Sequence, residues 1–109
     1  MSKSYKLYLL HVLDCIEKIN IICNRGDISK DFVLYDACLR NLQTLSESTN
    51  HFPEEIKIKY SQINWKGISG FRNILVHDYL GDIDPGTVKK IISDYLPELD
   101  KTIKSILEK

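Results

Sequence analysis

The stretch Trp65-Lys66-Gly67-Ile68-Ser69-Gly70-Phe71-Arg72-Asn73-Ile74-Leu75-Val76-His77-Asp78-Tyr79 decides how this chain is read. Ile68, Phe71, Leu75 and Tyr79 recur at three- and four-residue steps, with Val76 beside them. That spacing predicts a helix with an apolar stripe. It is expected to begin between Ile63 and Lys66, to run to about Tyr79, and to close at Gly81. Gly67 and Gly70 each cost roughly 1 kcal/mol of helix propensity against alanine. Close approach of another backbone would justify that cost, and so would a frayed or bent first turn.

Helical periodicity extends outward on both sides. In residues 4–24, Leu9, Val12, Leu13, Ile16, Ile19 and Cys23 form one face. Asn24-Arg25-Gly26-Asp27 ends this first helix, and Ser29 is a candidate N-cap for the second. The second helix carries Phe32, Tyr35, Cys38, Leu39, Leu42 and Leu45, then decays into the polar run Ser46-Glu47-Ser48-Thr49-Asn50. Pro53-Glu54-Glu55 suits a short helix start. Asp84-Pro85 restarts the chain as N-cap and first helical residue. Val88, Ile91, Ile92 and Tyr95 then face inward, Pro97 is expected to break or kink the chain, and Leu99, Ile103, Ile106 and Leu107 continue the stripe. No alternating strand pattern of useful length is present. The expectation is an all-α chain, an antiparallel bundle of four or five helices joined by short loops, forming one domain over residues 1–109.

With 109 residues the chain can bury roughly 60–70% of its unfolded surface, enough for a single core. Hydrophobic residues make up 43% and charged residues 28%, and the formal net charge is zero, so no global field recruits a polyanion. The charge is uneven, however. Between Ile56 and His77 there is no acid, while Lys57, Lys59, Lys66 and Arg72 are basic. This is either a solvated helix face or a binding surface. Cys15, Cys23 and Cys38 are odd in number and lack C-x-x-C spacing, which argues against a disulfide framework or zinc site. All three fall near apolar stripes, so buried thiols in a reducing cytosol are expected. The apolar stretch after the N-terminus is broken by His11, Asp14, Glu17 and Lys18, unlike a signal peptide or membrane span.

The chemistry-bearing residues sit in the opening stretch. Arg72 is always cationic and presents a planar fork to phosphate. His77 can move a proton near neutrality. Tyr79 offers a hydroxyl. Such a set could bind or cleave a phosphodiester. Positions five apart are rotated by about 140° on a helix, so Arg72 and His77 do not share a narrow stripe, whereas Arg72 and Tyr79 do. A loosened helix or a second subunit would let the pair converge. Asn73 lies one turn before His77 and could orient its ring. Trp65 reads as packing more readily than as a base-stacking surface, and Arg40 with Glu47 reads equally as an internal polar pair. His11 and His51 show no partner pattern.

Arg72, His77 and Tyr79 together resemble the R-x4-H-x-Y motif of the HepT-like HEPN ribonuclease toxins. The likeness covers nearly the whole chain: Arg40-Asn41-Leu42 and Glu47 in the second helix, Trp65, Ile68 and Gly70 before Arg72-Asn73 and His77-Asp78-Tyr79, then Ile83-Asp84 and Leu96-Pro97. Gly70-Phe71-Arg72-Asn73 replaces the usual Gly-Met-Arg-Asn, and Ser46-Glu47-Ser48-Thr49 replaces an alanine-rich segment.

The resemblance implies a HEPN-like bundle that dimerises around a shared cleft, in the cytoplasm. It implies a metal-independent endoribonuclease toxin that needs no cofactor and uses Arg72 and His77 on RNA. Asn73, Lys66, Arg40 and Glu47 would support the site or hold substrate. It also implies a minimal nucleotidyltransferase antitoxin as partner, which transfers AMP to Tyr79. A non-catalytic HEPN module that binds a nucleotidyltransferase or nucleotide, and a structural helical dimerisation protein, are the alternatives.

Overall fold

Residues 5–71, 73 and 85–108 are described by the computed structural model of the chain. Five helices lie among them: α1 (Tyr5–Arg25), α2 (Phe32–Thr49), α3 (Glu54–Lys59), α4 (Trp65–Ser69) and α5 (Pro85–Leu107). No strand occurs among the described residues. The fold is the all-helical bundle that periodicity called for, and it agrees with the HEPN-like bundle that the resemblance implied.

Helices α1 and α2 form an antiparallel hairpin. Leu9, Val12, Cys15, Ile16 and Ile19 of α1 meet Cys38, Leu42 and Leu45 of α2 in the core. At the open end of the hairpin, Tyr8 and His51 stack face to face, with centroids 4.1 Å apart. At the closed end, Asp31 caps α2, its carboxylate accepting from the amides of Val33 at 2.9 Å and Leu34 at 3.4 Å. Ser29 is therefore not the cap. Its amide and hydroxyl donate instead to Asp27, at 2.9 and 2.6 Å. Two capping residues lie within three positions, and the one at the true helix start prevails.

Asp27 also receives Lys89 of α5 in an ion pair. Its hydrogen bond to that ammonium, followed by those from Ser29, holds the carboxyl well below the usual carboxylate range. This clasp ties the start of α5 to the end of α1. From there α5 returns antiparallel along α1, burying Val88, Ile91, Leu96, Leu99, Ile103 and Ile106.

Four expectations about packing are corrected. Phe32 is 76% exposed, because it occupies the first turn of α2, ahead of the buried stripe. Cys23 is exposed, while Cys15 and Cys38 are buried; all three thiols are free. Pro97 does not break the chain, since α5 runs through it. Pro97 faces solvent, and the buried residues on either side hold the helix together despite the missing amide donor. The polar run at the end of α2 is helical to Thr49, with Ser46, Ser48 and Thr49 buried.

Candidate active site

The motif stretch is entered through α4, whose position is fixed on several sides. Asn64 caps α4, its side-chain oxygen accepting from the Gly67 amide at 2.9 Å. Its Nδ2 donates to the Tyr95 hydroxyl of α5 at 3.5 Å. A Cβ on Gly67 would lie 2.7 Å from Asn64 Nδ2 and 2.8 Å from the Tyr95 hydroxyl. Gly67 is needed because two side chains of the same chain, not another backbone, fill the space beside it. A Cβ on Gly70 would meet the carbonyl oxygens of Gly67 at 3.3 Å and Lys66 at 3.5 Å, both of the preceding turn.

From α2, the Ser46 hydroxyl donates to the carbonyls of Ile68 at 2.9 Å and Ser69 at 3.4 Å. Thr49 donates to the Ser46 carbonyl at 2.7 Å. These bonds explain how hydroxyls come to be buried there: each has a partner, so burial leaves nothing unsatisfied. Ser69 in turn donates to Asn50 at 3.0 Å.

The long third helix expected from the sequence is interrupted. Helix α4 ends at Gly70, which stands as its C-cap in right-handed helical conformation and donates to the carbonyls of Ile68 and Lys66. Phe71 and Asn73 beyond it have helical backbone. A bent first turn, not close backbone approach, is thus the use made of Gly70. Phe71 is buried edge-on against Tyr95, with centroids 5.3 Å apart.

Arg72, His77 and Tyr79, expected to carry catalysis and modification, lie outside the described residues. Asn73 is exposed, and its amide donates to the Gly70 carbonyl at 3.0 Å. The other expected supporting residues fall into two places. Lys66 is exposed beside an open groove of about 880 Å³ between α3 and α4, which Lys57, Asn64 and Trp65 also line. Trp65 packs edge-on against Phe52, centroids 5.7 Å apart, and its indole donates to the Tyr60 carbonyl at 3.1 Å.

Arg40 lines a separate groove of about 320 Å³ between α1 and α2, with His11, Asp14 and Lys18. Glu47 is exposed, seven residues after Arg40 on the same outer stripe of α2. Among the described residues no ion pair joins Arg40 to Glu47. Sequence reasoning passed over the pairing of Asn64 with Gly67 and Tyr95. The N-cap pattern Asn64-x-x-Gly67 was the available signal.

The thiols offer no nucleophile. Burial pushes Cys38 up to about 12, and burial also raises Cys15 and Cys23. A protonated thiol is a poor nucleophile near neutrality. Among the described residues, no group of three or more His, Cys, Asp or Glu converges in a way that would hold a metal ion. No helix among the described residues is long and apolar enough to cross a membrane.

A helical bundle whose α4 leads into an Arg-x4-His-x-Tyr string fits a ribonuclease-type HEPN protein. The chain matches the ribonuclease HepT-like family over residues 12–106, and it belongs to that family. It is 36% identical over 111 aligned positions to a protein of Caldanaerobacter subterraneus named as an RNase by inference, covering 98% of this chain and 97% of the relative. A Methanocaldococcus jannaschii protein, whose name joins a gamma-glutamylcyclotransferase to an inferred RNase, is 32% identical over 99% of this chain and 50% of its own length. A protein of Thermococcus cleftensis, named by inference as a ribonuclease HepT, is 28% identical over 91% of this chain and 92% of its own length. No solved structure matches the chain.

Proposed function

We propose that this protein is a metal-independent endoribonuclease toxin, formed by one domain over residues 1–109, that cuts RNA with Arg72 and His77. The observation that carries the reading is the family match over residues 12–106, which spans the whole Arg72-to-Tyr79 string. RNA supplies its own nucleophile, so the protein needs only to move protons and stabilise charge. The 2′-hydroxyl attacks the adjacent phosphorus while His77 accepts its proton or donates one to the departing 5′-oxygen. Arg72 neutralises the charge that develops on the phosphorane oxygens. The products are a 2′,3′-cyclic phosphate and a 5′-hydroxyl. Asn73 orients His77, Lys66 holds substrate phosphate, and Arg40 and Glu47 lend support from α2.

The test is an RNA-cleavage assay run with EDTA and beside His77→Ala. Cleavage is expected to survive the chelator. The variant is expected to lose roughly 10²–10⁴-fold while keeping its helical signal. Equal activity in the variant removes His77 from the mechanism, and loss with chelator alone points to a metal.

Two finer parts belong to the same reading. A homodimer would bring two basic stretches to one cleft, which suits a chain of zero net charge; sedimentation showing only monomer at micromolar concentration would remove that shared cleft. Regulation falls to Tyr79. A nucleotidyltransferase antitoxin transfers AMP from ATP to the phenolic oxygen, releasing pyrophosphate. A helix through this stretch, as the spacing predicts, would set Tyr79 on one face with Arg72 seven residues earlier, and the added phosphate would then take the place of the RNA phosphate. Intact-mass analysis after co-expression should show added AMP on the wild-type chain and none on Tyr79→Phe. An AMP mass that persists in Tyr79→Phe places the modification elsewhere.

A further inference from the structure

We propose that the α3–α4 groove is the path along which single-stranded RNA approaches the motif, with Lys57 and Lys66 holding phosphates and one base stacked on Trp65. This rests on the ribonuclease reading above and assigns the substrate a strand type and a track. The groove, of about 880 Å³, lies toward the upper end of the volumes of ligand-binding clefts. It is open to solvent rather than enclosed, as a site entered by a strand must be.

Its chemistry is suited to a polyanion. Lys57 and Lys66 line it, and neither is engaged in an ion pair among the described residues. Glu54 is the one carboxylate on its rim among the described residues, and the chain from Ile56 to Phe71 contains no acid at all. Asn64, Gln62 and Ser61 add polar groups to the wall. Ile58, 69% exposed, supplies apolar surface that the core does not use. Sites for single strands combine this kind of basic track with an aromatic platform, because every base has a flat face to stack.

Trp65 meets the requirement for a platform. It is half-buried and lines the groove. Its ring is already held by the indole bond to the Tyr60 carbonyl and by the edge contact with Phe52. A pre-set ring loses little freedom when a base stacks on it. The track also leads to the motif. Ser69 lines the groove, and Arg72 follows three residues later, so chain geometry keeps their Cα atoms within about 11 Å.

The chain contains a single tryptophan, so its emission reports on this groove alone. The experiment titrates the full chain with a single-stranded 2′-O-methyl oligonucleotide, which has no free 2′-hydroxyl to attack. Binding is followed by anisotropy of a label on the oligonucleotide and, separately, by Trp65 emission with unlabelled oligonucleotide. Quenching of Trp65 in step with anisotropy is expected. Lys57→Gln with Lys66→Gln should weaken binding about tenfold and flatten the salt dependence by roughly 0.7 per lysine removed. Lys101→Gln with Lys104→Gln changes net charge equally and should leave binding near wild type.

Anisotropic binding without any change in Trp65 emission overturns the track while leaving the ribonuclease reading intact, as does unchanged affinity in the Lys57/Lys66 variant. A nucleotidyltransferase-class protein that shifts Trp65 emission when the oligonucleotide does not would make the groove a protein-docking face and overturn the proposal. A wild-type chain that neither binds the oligonucleotide nor cuts RNA overturns the ribonuclease reading itself.

Discussion

The α1–α2 groove and the α3–α4 groove both carry lysine and amide side chains, yet they present different surfaces to a polyanion. In the α1–α2 groove, Lys18 is paired with Asp14 at 3.0 Å. Asn41 donates to the Ala37 carbonyl at 2.9 Å, and Thr44 to the Arg40 carbonyl at 3.1 Å. Its amide, hydroxyl and ammonium groups are turned toward their own helices. Arg40 is the cation left facing outward there. In the α3–α4 groove neither lysine is ion-paired among the described residues, and Glu54 is the one carboxylate on the rim among them. The number of cations in a groove therefore says little about binding; what matters is which cations already have a partner.

This contrast can be broken at its strongest point through Gly67, which packs α4 against Asn64 and Tyr95 behind the α3–α4 groove. Gly67→Ala would drive a methyl group into Asn64 and the Tyr95 hydroxyl. A loss of roughly 1–3 kcal/mol is expected, read from denaturant or thermal unfolding. Gly70→Ala should move stability by less than half as much, because its Cβ comes no closer than 3.3 Å to the Gly67 carbonyl and 3.5 Å to that of Lys66. Equal effects at the two glycines would mean that the Asn64–Tyr95 contact does not position α4.

A smaller effect is expected on the other side. Arg40→Gln should reduce RNA cleavage by a few-fold at most, roughly the worth of one exposed charge on a phosphate. That is less than the loss expected on removing Lys57 and Lys66 together. An Arg40→Gln loss comparable to that of His77→Ala would move the centre of the site into the α1–α2 groove and invert the comparison.

How much of this was legible in the sequence differs by element. The α1 stripe was read almost residue for residue, because Leu9, Val12, Ile16 and Ile19 obey one period and pack against one partner. The end of α2 was not, because Ser46, Ser48 and Thr49 look like a solvated turn. The carbonyls of Ile68 and Ser69, which bond Ser46, come from twenty-odd residues away, and no local pattern reports them. Of the break or kink expected at Pro97, the break does not occur, for a related reason. Propensity places a break there, but Leu96, Leu99 and Ile103 bury enough surface to keep α5 whole. At the site, the basic excess after Ile56 includes Lys66, and the structure sets that residue beside a groove that Lys57 also lines and where Glu54 is the one carboxylate among the described residues. That Arg40 lies in a different groove could not be read from spacing. It depends on which face of α2 meets α1.

The hydroxyl seam between α2 and α4 bears on how the motif is aimed. Two apolar surfaces can slide over each other by a fraction of an ångström with little change in energy, because their attraction has no direction. A hydrogen bond of 2.9 Å from Ser46 to Ile68 tolerates much less, since both its length and its angle are constrained. The seam therefore works as an indexing pin. After any local opening, α4 re-seats at one axial setting, and Phe71 with it, so the backbone is delivered to Arg72 from the same starting point every time.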